Sequence, residues 1–585
     1  MNLSLSATRW LAAALFCSAG RAAADPQLSS WYTAGSSQYA RIYESLAAET
    51  AGTAVATWSR GSGTQSAPTY AGVSQVAFSA NWVYIRSSGL ASHLMGPWYG
   101  NAAKTANFPN FPSNTAKIYR IPRRPVIPAT KILTGLGPIG CMVNGVSMFD
   151  SRDSFSYVSA SSMDATPVNG LTGDGVWNRD GYHNEGITFD PALAHQAGNH
   201  YHYHAQPIAL RWQLGDHVDY QAATNRYTES AALVARHSPI LAWAADGLPV
   251  YGPYGYAKAL DPTSGVRRMV SGFTLRDGTK GTDNLSATGR LSLPAWAQRL
   301  LAKPFKAGPA VSLTYALGHY LEDFDYLGDR GFTVGVDFDL NEQNARFSVT
   351  PEFPAGTWAY FVTIKADGTP MFPYTTGRQY FGSPSGGSTS ISEAVTVYFN
   401  GGPNAALQLQ PPTREGDRVA LTWSAVEGGT YVVEASSDLV QWPDVAPAVA
   451  ATGARARFVE TAPQGMRFYR VSRSSLAAFD SKGFDVSAGG GGGGSSAVAP
   501  GGSAPRGTSV TIVITLPGSP PVPPADLVPT SISLGGLSGT ALGRPSAGTV
   551  QATFALPADL VLGAKSIAVV FTGPTYTLPN AFTIN

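Results

Sequence analysis

Gly198-Asn199-His200-Tyr201-His202-Tyr203-His204-Ala205-Gln206-Pro207 sets three histidines two residues apart, with tyrosines between them. On a β-strand successive side chains point to opposite faces. His200, His202 and His204 then line one face, and Tyr201 and Tyr203 the other. Neighbours at i and i+2 lie roughly 6.5–7 Å apart at Cα, close enough for two imidazoles to converge on one metal ion. In a helix the same side chains would fan apart. The stretch therefore predicts a strand and is the first candidate for a site.

Histidine is scarce elsewhere. The chain holds nine, and seven fall between His183 and His237. A solvated histidine tract is seldom interleaved with tyrosine, and a single buried histidine is more often satisfied within a core. A triplet at strand spacing favours metal or catalytic use. The 150–200 passage is long, irregular and rich in Ser, Asp, Asn and Gly, as functional loops are. It brings Asp180, His183, Asp190 and His195 towards the repeat.

On either side the pattern is β-rich. Val73–Phe78, Trp82–Arg86 and Ile139–Phe149 carry strand signals, with Asn144-Gly145 as a two-residue hairpin turn. Pro239–Tyr254 is a hairpin pivoting on Asp246-Gly247, and a helix is expected around Pro294–Lys303. Glycine (64) and proline (42) are abundant in the 585 residues, and only 13% are charged. The expected fold class is mainly β: a β-rich domain with long irregular loops, followed by small β-sandwich modules. A net charge of +2 and the absence of a basic block argue against a nucleic-acid partner.

Residues 1–24 combine Arg9, the apolar run Trp10–Cys17 and Ala22-Ala23-Ala24, a secretory signal too short to span a bilayer. The expected location is secreted, periplasmic or cell-surface, with no transmembrane segment after signal removal. Phe16 before Cys17 argues against a lipobox. After cleavage only Cys141 would remain, expected as a buried small apolar residue on a strand. Residues 25–69 form a leader, helical in part around Tyr39–Thr50, and the main domain runs over 70–400. From 405 to 475, Trp423, Trp442 and short alternating strands resemble a fibronectin type III-like module. A Gly/Ser-rich linker is expected at 476–506, including the glycine run 489–494. A compact immunoglobulin-like β-domain then fills 507–585, without histidine or cysteine.

Familiar metal motifs fail. A cupin places a glutamate downstream of its His-x-His, but the first Glu after His204 is Glu229. His-Glu-x-x-His is absent, the later histidines and paired cysteines of copper–zinc superoxide dismutases are missing, and no Gly-x-Ser-x-Gly elbow occurs. What matches is Tyr201-His202-Tyr203-His204 itself, which resembles the YHYH domain. Further blocks carry the likeness: Gly89–His93 with Gly96-Pro97, Gly137–Gly140 running to Asn144–Val146, and Asp190-x4-His195. Trp243–Pro253, Thr350–Pro354, Gly356–Thr363 and Phe372–Tyr374 complete the set. Ala345 departs from the pattern, standing where relatives tend to have glycine in an Asn-Gly-Arg turn. The resemblance brings no established reaction, so function rests on the residues.

Two functions compete. In the first, His202 and His204 bind a transition metal together with His93 and His195, a nitrogen-rich set suited to Cu or Zn. Asp190 then orients His195 or caps a turn before Pro191, and Asp246 stands as a further supporting residue or as a hairpin turn. The relatives need only the last two histidines of the trio, which leaves His200 aside. In the second, the chain is an extracellular binding or adhesion protein whose His-Tyr face is structural or a carbohydrate platform. Its partner would be a polysaccharide or a cell surface. Hydrolysis by Asp246 with a histidine has little behind it.

Overall fold

The computed structural model describes residues 25–445, 447–462, 465–484, 502–504, 509–516, 527–546, 549–557, 559–561, 563–571 and 575–584. The signal expected at 1–24 and the glycine run at 489–494 lie outside the described residues. Two units divide the chain, Met1–Phe484 and Asp485–Asn585.

The first unit is built on a mixed eight-stranded sheet. Its strands in chain order are β1 (Pro138–Met142), β2 (Ser147–Phe149), β3 (His195–Ala197), β4 (His200–Tyr203), β5 (Ile240–Ala244), β6 (Pro249–Tyr251), β7 (Ala345–Ser348) and β8 (Thr357–Phe361). In space they run β3-β4-β2-β1-β5-β6-β8-β7. The hairpins β1–β2 and β5–β6 turn at Asn144-Gly145 and Asp246-Gly247, where both glycines take the positive φ that such turns require. The contacts β4–β2 and β6–β8 are parallel.

The central strands are buried on both faces, so they are runs of apolar or small residues rather than alternations. Every residue of β5 is buried. Gly140 is held to glycine by crowding, because a Cβ there would come within 2.7 Å of the Trp243 carbonyl oxygen. Cys141 on β1 is fully buried, as its apolar surroundings in sequence suggest. A five-stranded antiparallel sheet shares this core through Val73, Val76, Val83, Ile85 and Ile121. The residue at positive φ in the 341–345 turn is Asn344, not Ala345. Ala345 opens β7 in extended backbone, so the missing glycine costs nothing there.

Residues 25–69 are part of this body. Trp31, Ile42 and Trp58 are buried in the same core, and Ser30 Oγ accepts a hydrogen bond from Trp243 Nε1 at 2.9 Å. Helix in this segment is limited to the short turns Pro26–Ser29 and Leu46–Thr50, so only the end of Tyr39–Thr50 is helical. The helix expected near 294–303 occupies Ala295–Leu300. The irregular 150–200 passage and residues 270–340 pack around a second apolar cluster that includes Trp177, Phe273, Trp296, Tyr320 and Phe372. That cluster holds the long loop in shape.

Residues 413–476 form a small sandwich of two three-stranded antiparallel sheets around Leu421, Trp423, Tyr431 and Val433. It is fastened to the main body by Tyr70, whose hydroxyl donates to the Glu427 carbonyl at 2.9 Å. The Glu427 carboxylate accepts from Tyr39 N at 2.8 Å and pairs with Arg41. Of the linker expected at 476–506, residues up to 484 lie against the main body, 502–504 form a strand in the second unit, and the rest are outside the described residues. Phe479 and Phe484 pack against Tyr70, and Asp480 accepts from Gln65 and Asn114.

The second unit has a five-stranded and a three-stranded sheet around one core of Ile512, Ile514, Ile532, Val550, Phe554 and Val569. The alternation in Ser509–Thr515 sends Ile512 and Ile514 inward. No helix among the described residues is long and apolar enough to cross a membrane.

Candidate metal centre

The stretch 200–203 is strand β4, as its alternation predicts. β3 folds back on it antiparallel across Gly198-Asn199, with Gly198 at φ 61°. In this register His195 lies directly opposite His202. Cross-strand partners share a face with side chains close together. His204, two residues beyond His202, returns to that same face. The three ring nitrogens available as ligands lie within 4.8 Å of one another, and all three residues are buried.

The protonation of each ring follows from its partner. His202 Nδ1 faces the His200 carbonyl at 2.9 Å, and His204 Nδ1 faces the Asp150 carbonyl at 2.7 Å. A carbonyl only accepts, so both Nδ1 atoms carry the proton. His195 Nδ1 meets Thr188 Oγ1 at 2.7 Å, and that hydroxyl donates to the Glu185 carbonyl at 2.6 Å. His195 therefore donates from Nδ1 as well. All three Nε2 lone pairs are left to converge, with His202 Nε2 and His204 Nε2 3.0 Å apart. His195 Nε2 is buried without a hydrogen-bond partner.

A carboxylate completes the cluster. Glu185 Oε2 stands 3.1 Å from His204 Nε2 and 3.6 Å from His195 Nε2. It ends the short helix α1 (Gly181–Glu185), whose first turn is capped by Asp180 accepting from His183 N at 2.8 Å. Asp180 is itself held by the Tyr374 hydroxyl, and burial pushes its carboxyl up to about 7. Burial holds His195 down to about 4 and His202 well below its ordinary value, so both are neutral. Burial also pulls His204 down, but its hydrogen bond and charge attraction to Glu185 outweigh this and leave it raised.

Aromatic rings wall the cluster. Phe149 stacks on His202 at 3.8 Å, Phe189 lies parallel to His204 and meets His195 edge-on at 4.8 Å, and Phe108 sits 5.9 Å from His195. The Glu185 side chain keeps 27% exposure against 4–5% for His195 and His204, but its Oε2, which faces the histidines, is buried.

His93 is not brought to this cluster. It lies on the tyrosine face of β4, where its Nε2 accepts from the Tyr203 hydroxyl at 2.8 Å and its Nδ1 donates to the Leu94 carbonyl. Both nitrogens are thus engaged. Asp190 does not orient His195 either. Its oxygens accept from the backbone of Ala192, Ala194 and Gly96 and from the Tyr201 hydroxyl, which makes it the cap of the turn before β3. Thr188 positions His195 instead. Asp246 is the anchor of the β5–β6 hairpin, taking hydrogen bonds from Leu248 N, Gly382 N and the Tyr360 hydroxyl. His200 points away to a 2.6 Å contact with Ser147 Oγ.

Glu185 and Thr188 were not among the sequence candidates. A cupin's glutamate lies downstream of its His-x-His, whereas this glutamate comes from upstream. The irregular passage that carries Asp180 and His183 was the available signal.

Residues 118–374 match the family model described as YHYH protein, and these residues carry a YHYH domain. No curated protein matches the chain.

Proposed function

We propose that the protein is a secreted metalloprotein whose YHYH domain binds one copper or zinc ion through His195, His202 and His204, with Glu185 as a fourth donor. The single observation that carries this reading is the convergence of three buried Nε2 lone pairs, each fixed by an Nδ1–H donated to a carbonyl or hydroxyl. Metal-bound histidines are oriented in this way. Facing lone pairs repel, and a cation turns that repulsion into binding. Ligands at about 2.0–2.1 Å from a tetrahedral ion sit about 3.3 Å apart, close to the 3.0 and 3.1 Å separations here. Imidazole with one carboxylate suits zinc and copper better than calcium or magnesium. Secretion is supported by the signal pattern at 1–24.

The competing reading, a carbohydrate platform on the His-Tyr face, meets a physical obstacle. Tyr201 and Tyr203 are 0% exposed and His202 is 1% exposed, so no sugar ring reaches them.

The test is elemental analysis of the purified chain and of the His202→Ala, His204→Ala double variant. One equivalent in the parent and none in the variant is expected. Substoichiometric metal in both, with folding unchanged, sinks the reading. Glu185→Gln refines it. An ion that takes Glu185 as ligand loses roughly tenfold or more in affinity, whereas an ion held by three imidazoles alone keeps its affinity and an open position for water, which it would acidify.

A further inference from the structure

A second place in the same unit has the makings of a binding site, unconnected to the metal ligands. A cleft of about 800 Å³ lies among residues 214–217, 233–239, 256–266 and 351–352. Small-molecule sites commonly fall between about 300 and 1,000 Å³. His237 lines it and is only 9% exposed. Its Nδ1 donates to the Ser238 carbonyl at 2.8 Å, and its ring is wedged edge-on against Tyr251 and Tyr256 at 4.9 and 5.0 Å. Its Nε2 has no partner. Burial holds this imidazole down to about 4, and Nε2 is itself closed off from solvent, so the neutral ring serves as part of the cleft wall.

The rest of the lining selects the ligand. Asp216 is satisfied: Arg211 Nε reaches one oxygen at 2.7 Å and Ser238 Oγ the other at 2.8 Å. Glu352 accepts the Tyr251 hydroxyl on Oε2 and keeps Oε1 for another donor. The exposed Arg236 lends one N–H to the Gly215 carbonyl and retains others. Glu352 and Arg236 balance in charge, so the cleft favours neither a cation nor an anion. Val234, Pro239, Val266 and Pro351 add apolar wall between these polar groups. Among the described residues only His195, His202 and His204 converge as metal ligands do, so His217 and His237 are not a second metal centre.

We propose that this cleft binds a neutral, hydroxyl-rich ligand, a segment of glycan, with Glu352 Oε1 accepting a hydroxyl proton, Arg236 donating and the His237 ring forming part of the wall. A hydroxyl both gives and takes a hydrogen bond, which a mixed set of this kind requires, and the C–H faces of sugar rings match the apolar wall. The experiment is affinity electrophoresis of the full chain through gels containing neutral polysaccharides: a glucan, a mannan and a soluble N-acetylglucosamine polymer. Retardation by at least one is expected, weakened roughly tenfold in Arg236→Ala and in Glu352→Gln. Thermal midpoints are checked for both variants. Retardation by none of the polymers overturns the proposal, as does retardation that both folded variants retain. Weakening only in variants that have lost their fold overturns it too.

Discussion

At the scale of single residues, the site depends on hydrogen bonds made by atoms that would never touch the ion. Thr188 Oγ1 fixes the His195 ring by accepting a hydrogen bond from its Nδ1–H. Thr188→Val keeps the shape and removes that acceptor, so metal affinity should fall about 10- to 100-fold with the fold retained. Competition titration with a chromogenic chelator measures this, and an unchanged dissociation constant would refute it. The strand alternation made His202 and His204 legible because period two is a local property of sequence. His93 misled because a histidine in a glycine turn looks the same whether it meets the histidine face or the tyrosine face of β4. Glu185 was hidden because its placement depends on a capped five-residue helix, which has no periodicity of its own to read.

At the scale of elements, α1 reaches the ligands only because its base is tied down. Asn178, on the short strand leading into the Asp180 cap, donates N and Nδ2 to Glu322 at 2.7 and 2.8 Å. Burial pushes the Glu322 carboxyl up to about 7 from an ordinary value of 4.5. The folded protein keeps a proton that the unfolded chain releases. This group's contribution to stability is therefore full below about pH 4.5 and is lost as pH rises through about 7, a change on the order of 3 kcal/mol. Glu322→Gln, neutral throughout, should flatten that part of the profile in urea midpoints taken across the window. An equally steep profile in the variant would count against the assignment. The hairpin β3–β4 has its own sensitivity. Gly198→Val forces a β-branched residue into left-handed backbone and should cost about 1–2 kcal/mol, weakening metal binding by shifting His195 against His202. This pairing has a local signature: Gly198-Asn199 between His195 and His202 is the right length for a two-residue turn.

At the scale of the molecule, the mainly β class was legible from composition and from turns every few residues, and the second apolar cluster was not. Trp177, Phe273, Trp296 and Phe372 come from segments far apart in sequence, and no local pattern says that they meet. The attachment of the small sandwich was equally invisible, since it rests on Tyr39, Arg41 and Tyr70 meeting Glu427 some hundreds of residues later. Glu427→Ala leaves Tyr39 N without its acceptor and should cost about 1–3 kcal/mol. Limited proteolysis should then cut between 400 and 412 sooner than in the parent. Identical cleavage rates would place the fastening elsewhere, in the aromatic contacts of Phe479 and Phe484.

The His-Tyr alternation has one more consequence. A strand that repeats every two residues is nearly identical to itself after a two-residue shift, so β4 could pair with β3 one repeat out and still bury a tyrosine face and show a histidine face. The ladder hydrogen bonds alone would scarcely tell the two pairings apart. The Ser147–His200 contact and the Gly198 turn distinguish them locally, and a bound ion would do so globally. Only the native pairing sets His195 beside His202 with Glu185 and the Asp150 carbonyl in reach of His204. Metal uptake would then act as a proofreading step for strand registry, retaining correctly paired chains and releasing slipped ones to try again.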